Sequence, residues 1–400
     1  MKTLKSMRLH IGIFGKTNVG KSSILNRITG QDISIVSDVA GTTTDVVEKS
    51  MELLPIGPVN FLDTAGINDS TILSAERIEK TMKILNRTDI AVIVCTPDGI
   101  DDFEKSLINK FNELKIPFII LINKTDINET TQETILSLKN ITPNIISTSA
   151  HTDKNFVFKF KEALVKLLPE EFVNSPKIVG DLIPEKSTVI LVIPIDKEAP
   201  KGRIILPQVQ TLRDLLDSNC ISIVVKEDEL KDTLENLKNP PSLVITDSQA
   251  FKPVSEIVPD SIPLTSFSIL FAKLKGDLNA FIKGAQAIDN LQDGDRILIL
   301  ESCTHHAIED DIGRVKIPNL LKKKTGKSLI IENIAGHDFP DITKYKLIIH
   351  CGACMTNRRE VLSRILIANQ QNIPISNYGI VISYCLGILP RATRIFNNIF

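Results

Sequence analysis

The sequence has 400 residues, of which 42% are hydrophobic and 24% charged, and its formal net charge is -1. This length is enough for roughly two or three domains with cores of their own. The near-neutral net charge gives no excess of basic residues with which to bind nucleic acid. No apolar run reaches the roughly 18 residues of a membrane span, and no signal-peptide core precedes the first predicted strand. The 6 cysteines are too few for a disulfide framework in a chain of this length. We therefore expect a cytoplasmic protein that binds neither a membrane nor nucleic acid.

Apolar runs typical of β-strands recur along the N-terminal part of the chain, and helical stretches separate most of them. The runs are Leu9–Phe14, Val59–Leu62, Ile90–Val94, Phe118–Ile122 and Asn144–Ile146. This alternation predicts a mostly parallel sheet with helices on both faces. Ligands of such sheets gather at the carboxyl ends of the strands.

The segment Gly15–Ser22 reads GKTNVGKS and lies between the first predicted strand and a predicted helix, Ser23–Thr29. It matches the phosphate-binding loop G-x-x-x-x-G-K-[ST], whose backbone N–H groups and helix dipole favour an anion. We expect Lys21 to reach the β- and γ-phosphates and Ser22 to ligate Mg²⁺. The residues of this segment predicted to contact nucleotide are Gly15, Asn18, Val19, Gly20, Lys21, Ser22 and Ser23.

Three further motifs follow predicted strands of the same sheet: DTAG from Asp63 to Gly66, NKTD from Asn123 to Asp126, and STSA ending at Ala150. Asp63 can hold Mg²⁺ through water, and the Gly66 N–H can meet a γ-phosphate. The Asp126 carboxylate can accept from both guanine N1–H and the 2-amino group, which adenine does not offer, so the predicted ligand is GTP. The predicted base-side contacts are Asn123, Lys124, Asp126, Ser149 and Ala150; a Lys often found after that Ala is replaced by His151.

This set of motifs resembles the translation-factor-like GTPases, especially the branch that contains the tRNA-modification GTPase and Era. The segment Gly41–Asp45 looks like the first switch of that branch, which implies nucleotide contacts from Thr42 and Thr43 and makes Thr43 a second Mg²⁺ ligand. Ile67 stands where Ras has its water-orienting Gln, and the resemblance implies that Asn18 binds a K⁺ ion that stimulates hydrolysis. Equal turnover in sodium and potassium would contradict that expectation. The residues assigned to catalysis are Lys21, Thr43, Asn18 and Glu76, although Glu76 fits a plain surface carboxylate equally well.

The strand and helix alternation begins again twice further along the chain, so the predicted fold class is α/β with three consecutive domains of mostly parallel sheets. The first, residues 1–172, is a P-loop GTPase domain. The second, residues 180–265, is a small α/β unit with no phosphate loop, and we expect it to mediate dimerisation rather than act as a spacer. The third, residues 266–400, holds three cysteines just past predicted strands.

These cysteines form the pattern Cys303-x-His305 after the strand Arg296–Glu301, and His350-Cys351-x-x-Cys354 at the end of the strand Lys346–His350. In a parallel sheet both loops leave the same edge, and three thiolates make a soft site suited to an iron–sulfur cluster or zinc. The histidines can serve as ligands or support the ligands. A redox pair or buried thiols remain alternatives for the Cys-x-x-Cys segment alone. Cys95, Cys220 and Cys385 are predicted to be inert core thiols in apolar strands.

The combination of a potassium-type GTPase domain, a middle unit without catalytic residues and this cysteine pattern resembles the HydF family, the maturation GTPases of FeFe hydrogenases. The resemblance covers essentially the whole chain and implies a 4Fe-4S cluster on Cys303, Cys351 and Cys354. The fourth iron would have a weak, exchangeable ligand, with Asp196 as first candidate, followed by His305 and His350. The implied function is a homodimeric scaffold that receives a transient di-iron precursor, built with two radical-SAM maturases, and delivers it to the immature hydrogenase.

Two other interpretations explain part of the pattern. A zinc-binding GTPase that assists ribosome or tRNA maturation accounts for the N-terminal motifs but not for the near-neutral charge. A redox-sensing GTPase with a disulfide between Cys351 and Cys354 gives no role to Cys303 or its neighbouring histidine. The sequence leaves open which residue is the fourth iron ligand, which hydrogenase is the client, and how the GTP state reaches the cluster.

Overall fold

The computed structural model describes residues 5–30, 47–63, 81–173, 176–195, 204–302, 311–353 and 355–396. The chain divides into two compact units, Met1–Ser175 and Pro176–Phe400. Within the described ranges, no helix combines the length and the apolar character needed to cross a membrane.

The first unit is built on one sheet of six strands with helices packed against it. The strands are β1 (Leu9–Phe14), β2 (Val47–Leu53), β3 (Gly57–Asp63), β4 (Ile90–Cys95), β5 (Phe118–Ile122) and β6 (Ile145–Ser147). The helices are α1 (Lys21–Thr29), α2 (Asp102–Glu113), α3 (Gln132–Lys139), α4 (Phe156–Leu167) and α5 (Glu170–Val173), and residues 81–85 are also helical. The strand order is β2-β3-β1-β4-β5-β6, and all pairs are parallel except β2 with β3.

The central strands are apolar runs buried on both faces, as parallel strands between two helical layers must be. Every residue of β1, β4 and β5 is buried. The antiparallel edge strand β2 has no such run, and the sequence analysis did not predict it. Its position is fixed by polar contacts: Glu48 pairs with Arg87 at 2.6 Å, and Ser50 donates to Asn60 at 2.8 Å.

The second unit holds two four-stranded sheets, so three sheets are present in all among the described residues. Its strands are β7 (Thr188–Val192), β8 (Ile221–Val225), β9 (Leu243–Thr246), β10 (Leu264–Ser266), β11 (Arg296–Glu301), β12 (Ile330–Ala335), β13 (Leu347–His350) and β14 (Ile375–Asn377). Its α-helices are α6 (Leu206–Asp217), α7 (Leu230–Asn236), α8 (Phe251–Ile257), α9 (Phe267–Lys275), α10 (Leu278–Gln286), α11 (Ile317–Thr325), α12 (Arg358–Gln370), α13 (Tyr378–Cys385) and α14 (Leu389–Thr393). A π-helical turn spans Ile312–Lys316.

The two sheets of this unit are entirely parallel and have the same topology. Their orders, β8-β7-β9-β10 and β12-β11-β13-β14, both place the second strand at one edge, then the first, third and fourth. The register also agrees, because the first residues of β8 and β12 pair with the first residues of β7 and β11. The third strand in each sheet begins one residue later, at Val189↔Leu243 and Ile297↔Leu347. One continuous hydrophobic core includes residues of both sheets.

The predicted α/β class with a P-loop domain and mostly parallel sheets is confirmed. One detail was wrong: Cys385 was expected in a strand, but the apolar segment that contains it is the helix α13, and Cys385 is its last residue. A short apolar run does not distinguish a buried helix from a buried strand. The predicted boundaries at residues 172, 180 and 265 stay predictions.

Candidate functional site

The phosphate loop lies between β1 and α1, and its backbone requires glycine at both ends. Gly15 and Gly20 have φ values of 137° and 96°, which residues with a side chain rarely adopt. A Cβ at Gly15 would lie 2.2 Å from the Val94 carbonyl oxygen, and one at Gly20 would lie 2.3 Å from Asn123 Nδ2. The loop is therefore packed tightly against its neighbouring strands at the carboxyl edge of the sheet. Asn18, the predicted K⁺ ligand, is exposed in this loop and has a left-handed backbone, with φ 64°.

Lys21 is the first residue of α1 and is buried under the loop. Its Nζ donates to the carbonyl oxygens of Gly15 at 2.8 Å and Lys16 at 2.7 Å. Burial lowers the pKa of Lys21, and the negative charge of Asp63 opposes that shift. The ammonium group is thus held inside the curve of the loop, where a phosphate would compensate its charge.

Asn123 connects the phosphate loop to the last motif of this unit. Its Nδ2 donates to the Val19 carbonyl oxygen at 2.9 Å, and its Oδ1 accepts from the Ala150 N–H at 3.0 Å. Ser149 is buried and its hydroxyl oxygen accepts from the N–H groups of His151 and Thr152, which fixes the turn. Three motifs that are distant in sequence therefore meet at one edge, as the sequence predicted. Lys124 follows with φ 64°, and Asp126 is exposed beside it.

Asp63 ends β3 and is buried beside β1, where it pairs in register with Ile13. This places a carboxylate next to the phosphate loop, and its role near Mg²⁺ stays a prediction. Ser22 and Ser23 occupy the first turn of α1. The other predicted nucleotide and catalytic residues, Thr42, Thr43, Gly66 and Glu76, lie outside the described residues.

One contact of the phosphate loop was missed by the sequence analysis. Lys16, an unspecified position of the motif, forms an ion pair with Asp101, the N-cap of α2. Asp101 also accepts from the N–H groups of Phe103 and Glu104. The capping pattern Asp-x-x-Glu was present in the sequence and could have identified the start of this helix.

The second site lies at the carboxyl edge of the β11–β14 sheet, where β11 and β13 are neighbours. The Cys351 N–H donates to the Leu300 carbonyl oxygen at 2.8 Å, which continues the pairing of the two strands by one residue. The Cys351 sulfur accepts from the Ser302 N–H at 3.2 Å and lies 3.2 Å from the Ser302 hydroxyl. The residues that precede Cys303 therefore contact Cys351 directly.

Cys351 is poised to act as a thiolate. Burial by itself would raise the pKa of the thiol, but the side chains of His350 and Ser302 and the backbone N–H of Ala353 lower it to about 6. By contrast, burial raises the pKa of Cys95 to about 12 and that of Cys385 to about 11. Thiolates are the form that binds soft metals, so Cys351 has the protonation state that a metal ligand requires and those two cysteines do not.

A buried polar network lies behind Cys351, and no motif in the sequence indicated it. His350 Nδ1 lies 2.9 Å from the Cys351 carbonyl oxygen, and Arg364 Nη1 lies 2.7 Å from His350 Nε2. Arg364 also donates to Glu360 Oε1 at 2.7 Å, and both side chains are almost fully buried. His337 lies 3.0 Å from the second oxygen of Glu360. A Glu and an Arg at i and i+4 on α12 look like a surface pair in sequence, so only the structure shows their burial.

The described residues fit a metal group as far as they extend. Cys351 is a stabilised thiolate, and Glu301 Oε1, at the end of β11, is buried with no hydrogen-bond partner among the described residues. The described part of the chain holds no group of three metal-binding side chains. The remaining predicted ligands, Asp196, Cys303, His305 and Cys354, lie outside it.

Comparison with known proteins agrees with the P-loop site. Residues 10–124 match a family model described as 50S ribosome-binding GTPase. The tRNA modification GTPase MnmE of Mesoplasma florum is 35% identical over 172 residues, which are 42% of this chain and 36% of the relative. GTPase Der of Wolinella succinogenes is 44% identical over 126 residues, which are 30% of this chain and 26% of the relative. The chain thus spans about a quarter to a third of the length of the curated relatives it matches.

Among solved structures, Era of Aquifex aeolicus bound to GDP and AlF4⁻ covers 55% of this chain and 94% of its own, with 20% identity and a TM-score of 0.34. The fold and the phosphate loop define the class of this protein: it is a P-loop protein with an N-terminal GTPase domain.

The rest of the chain defines the family. Residues 178–276 match the Hydrogen maturase F dimerization domain, and residues 279–395 match the Hydrogen maturase F tetramerization domain. These two models of one family together match more than half of the chain. The chain therefore belongs to the hydrogen maturase F family, as its motifs predicted, and the two domain types support oligomerization.

Proposed function

We propose that this protein hydrolyses GTP and carries an iron–sulfur cluster as a scaffold in the maturation of FeFe hydrogenase. The observation that carries this proposal is the position of Cys351, whose sulfur accepts from the Ser302 N–H where β11 and β13 end side by side; Ser302 and His350 lower the pKa of this thiol. The family membership supports the same reaction context. The N-terminal GTPase domain would supply GTP binding and hydrolysis.

In this proposal Cys303, Cys351 and Cys354 hold a 4Fe-4S cluster, with Asp196, His305 or His350 as the exchangeable fourth ligand. The cluster supplies an open iron at which a di-iron precursor can bind. The protein's own contribution is to keep the Cys351 thiol deprotonated and to fix the loop that bears it. An Asp or a His on that iron would leave readily, which suits a carrier.

The GTPase domain would act as a switch for receipt or delivery. Lys21 would neutralise the β- and γ-phosphates, Ser22 and Thr43 would ligate Mg²⁺, and Asn18 would hold a K⁺ ion that stimulates hydrolysis. Glu76 would orient water. In this proposal the protein is a cytoplasmic homodimer, which accords with the two oligomerization domains. Its partners would be two radical-SAM maturases and the immature hydrogenase.

Metal analysis of anaerobically purified and reconstituted protein tests the cluster. We expect about four irons and four sulfides per chain for a cubane cluster, and loss of both in a Cys351→Ser variant. Asp247→Ser is the matched control, because Asp247 follows β9 at the position that Cys351 occupies after β13. It should leave the iron content unchanged.

The same preparations separate the alternatives. One tightly bound zinc per chain without iron would contradict the proposal and support a zinc-binding GTPase of ribosome or tRNA maturation. A disulfide between Cys351 and Cys354 with no metal would support redox sensing. GTP turnover in potassium should exceed that in sodium, and equal rates would remove Asn18 from its proposed role.

A further inference from the structure

The described part of the loop after β13, residues 351–353 and 355–357, is held by two buried cations that have no assigned role. Arg364 is 1% exposed and Lys275 is 4% exposed. Buried charges are costly unless they are paired and hydrogen-bonded, so two of them under one short loop call for an explanation in terms of what that loop binds.

Arg364 acts on the loop through His350. An arginine can only donate, so His350 Nε2, 2.7 Å from Arg364 Nη1, must be the acceptor. The other ring nitrogen, Nδ1, lies 2.9 Å from the Cys351 carbonyl oxygen, which can only accept, so Nδ1 carries the hydrogen. The imidazole is therefore held in one orientation that links Arg364 to the Cys351 backbone.

This arrangement leaves His350 no lone pair with which to bind iron. Its Nε2 lone pair accepts from Arg364, and its Nδ1 is protonated. His350 is 1% exposed, which also buries the ring away from the loop surface. Of the candidates for the fourth ligand, Asp196 and His305 remain.

Lys275 holds the other end of the loop directly. It is the last residue of α9, and its Nζ donates to the carbonyl oxygens of Ala353 at 2.7 Å and Thr356 at 2.8 Å. Ala353 has a left-handed backbone, with φ 53°, a conformation that L-residues other than glycine rarely adopt. Arg358, the first residue of α12, donates in return to the Leu274 carbonyl oxygen. The end of α9 and the start of α12 thus hold the strained turn between them.

We propose that Arg364 and Lys275 are positioning residues for the iron–sulfur cluster: they hold the described part of the loop that bears Cys351 and place two positive charges beneath it. The proposal rests on the proposed function, since it requires a cluster at this loop. A cluster on three thiolates carries net negative charge, which increases on reduction. Buried cations therefore stabilise the reduced form more than the oxidised form.

The location of Lys275 gives the arrangement a second consequence. Lys275 belongs to the segment that matches the dimerization domain, whereas Ala353 and Thr356 belong to the segment that matches the tetramerization domain. A shift of α9 would move the carbonyl oxygens to which Lys275 donates. Hydrogen bonds from Lys275 therefore connect the dimerization domain directly to the loop that bears Cys351.

The test compares reconstituted full-length wild-type protein with Arg364→Met and Lys275→Met. The measurements are iron per chain, the midpoint potential from a redox titration followed by electron paramagnetic resonance, and the rate of iron loss to a chelator. We expect both variants to lose iron at least about tenfold faster, the size of effect seen when supporting residues of metal ligands are changed. Both should also have more negative potentials than the wild type. Arg364→Lys should restore the potential but not the retention, because it keeps the charge and loses the forked geometry.

Arg391→Met is the matched control. Arg391 is a largely buried cation of the same unit that donates to the carbonyl oxygens of Ser255 and Val258, in the last turn and at the C-cap of α8. Its removal should destabilise the fold without changing the potential or the rate of iron loss. If either methionine variant does not fold, Glu360→Gln decides the matter, because removing the negative charge beside Arg364 should move the potential in the positive direction.

Potentials and iron loss that are the same in the wild type, Arg364→Met and Lys275→Met would overturn the proposal alone. An unchanged potential in Glu360→Gln would do the same where it is the deciding variant. A wild-type chain that takes up no iron would instead overturn the proposed function, and this proposal with it.

Discussion

The two four-stranded sheets of the second unit share a scaffold but not a chemistry. They have the same strand order and register, and in each the fourth strand leads directly into a helix with a polar N-cap, Ser266 or Asn377. After the third strand, however, the β7–β10 sheet continues with Asp247, whereas the β11–β14 sheet continues with Cys351.

This difference shows that the fold provides the position and the residues beyond the strands provide the function. Asp247 accepts from Gln208 at 3.4 Å and from the Gln249 N–H at 3.3 Å, contacts that stabilise a turn. Cys351 is instead surrounded by groups that favour its thiolate and by a buried Arg–Glu pair. The repeated scaffold thus carries a structural turn in one copy and a candidate metal site in the other.

The largest effect that tests this comparison comes from equivalent core positions. Ile245 in β9 and Ile349 in β13 are both fully buried, and both pair with the fourth residue of their sheet's first strand. Each substitution by Ala should cost about 2–5 kcal/mol, because it removes buried methyl groups and leaves a cavity. Because one core includes both sheets, hydrogen exchange should increase in peptides of both sheets for either variant.

The surface variant Lys231→Ala in α7 serves as a control and should leave exchange in the strands unchanged. An increase confined to the substituted sheet would contradict the shared core. It would indicate that the predicted boundary near residue 265 separates two independent folding units.

A pH titration of the cluster-free protein distinguishes Cys351 from the other cysteines. The difference in ultraviolet thiolate absorbance between wild type and Cys351→Ser should show a step near pH 6, whereas the difference for Cys385→Ser should show one near pH 11. Because the pKa of Cys351 is lower in the folded than in the unfolded state, its contribution to stability is complete above the ordinary thiol pKa of about 9 and is lost as the pH falls through 6. A Cys351 step near pH 9 would show that His350 and Ser302 do not stabilise the thiolate.

The sequence allowed much of this fold to be predicted, because its strands are apolar runs and its nucleotide motifs follow them. The bounds of β1, β5 and β11 agree with the prediction at both ends. The short strand β14 was missed, since its three residues give no periodicity to read. The shared topology of the two four-stranded sheets could have been found in the sequence by aligning the similar segments that begin at Ile262-Pro263 and Ile373-Pro374.

The candidate site was only half predictable. Cysteine spacing indicated Cys351, but Arg364 and Lys275 act through tertiary contacts with residues 14 and 78 positions away. In sequence, each looks like an ordinary charge on a helix. Burial and pairing of charges depend on how helices pack, and hydrophobic patterns do not report that packing.

The smallest effects concern the helix caps that the two sheets share. The Ser266 side chain accepts from the Ile269 N–H at 3.3 Å, and the Asn377 side chain accepts from the Ile380 N–H at 2.9 Å. Substitution of either cap by Ala should reduce the free energy of unfolding by about 1 kcal/mol, measured by denaturant unfolding. Asn377 should have the larger effect, because its Nδ2 also donates to the Ser268 carbonyl oxygen at 3.2 Å and so joins α9 to α13, the helices that follow the fourth strands of the two sheets. Ser266→Asn should leave the free energy of unfolding nearly unchanged, and Asn377→Ser should lose only the bond to Ser268. If Asn377→Ser and Asn377→Ala lose the same free energy of unfolding, the cap itself contributes nothing there.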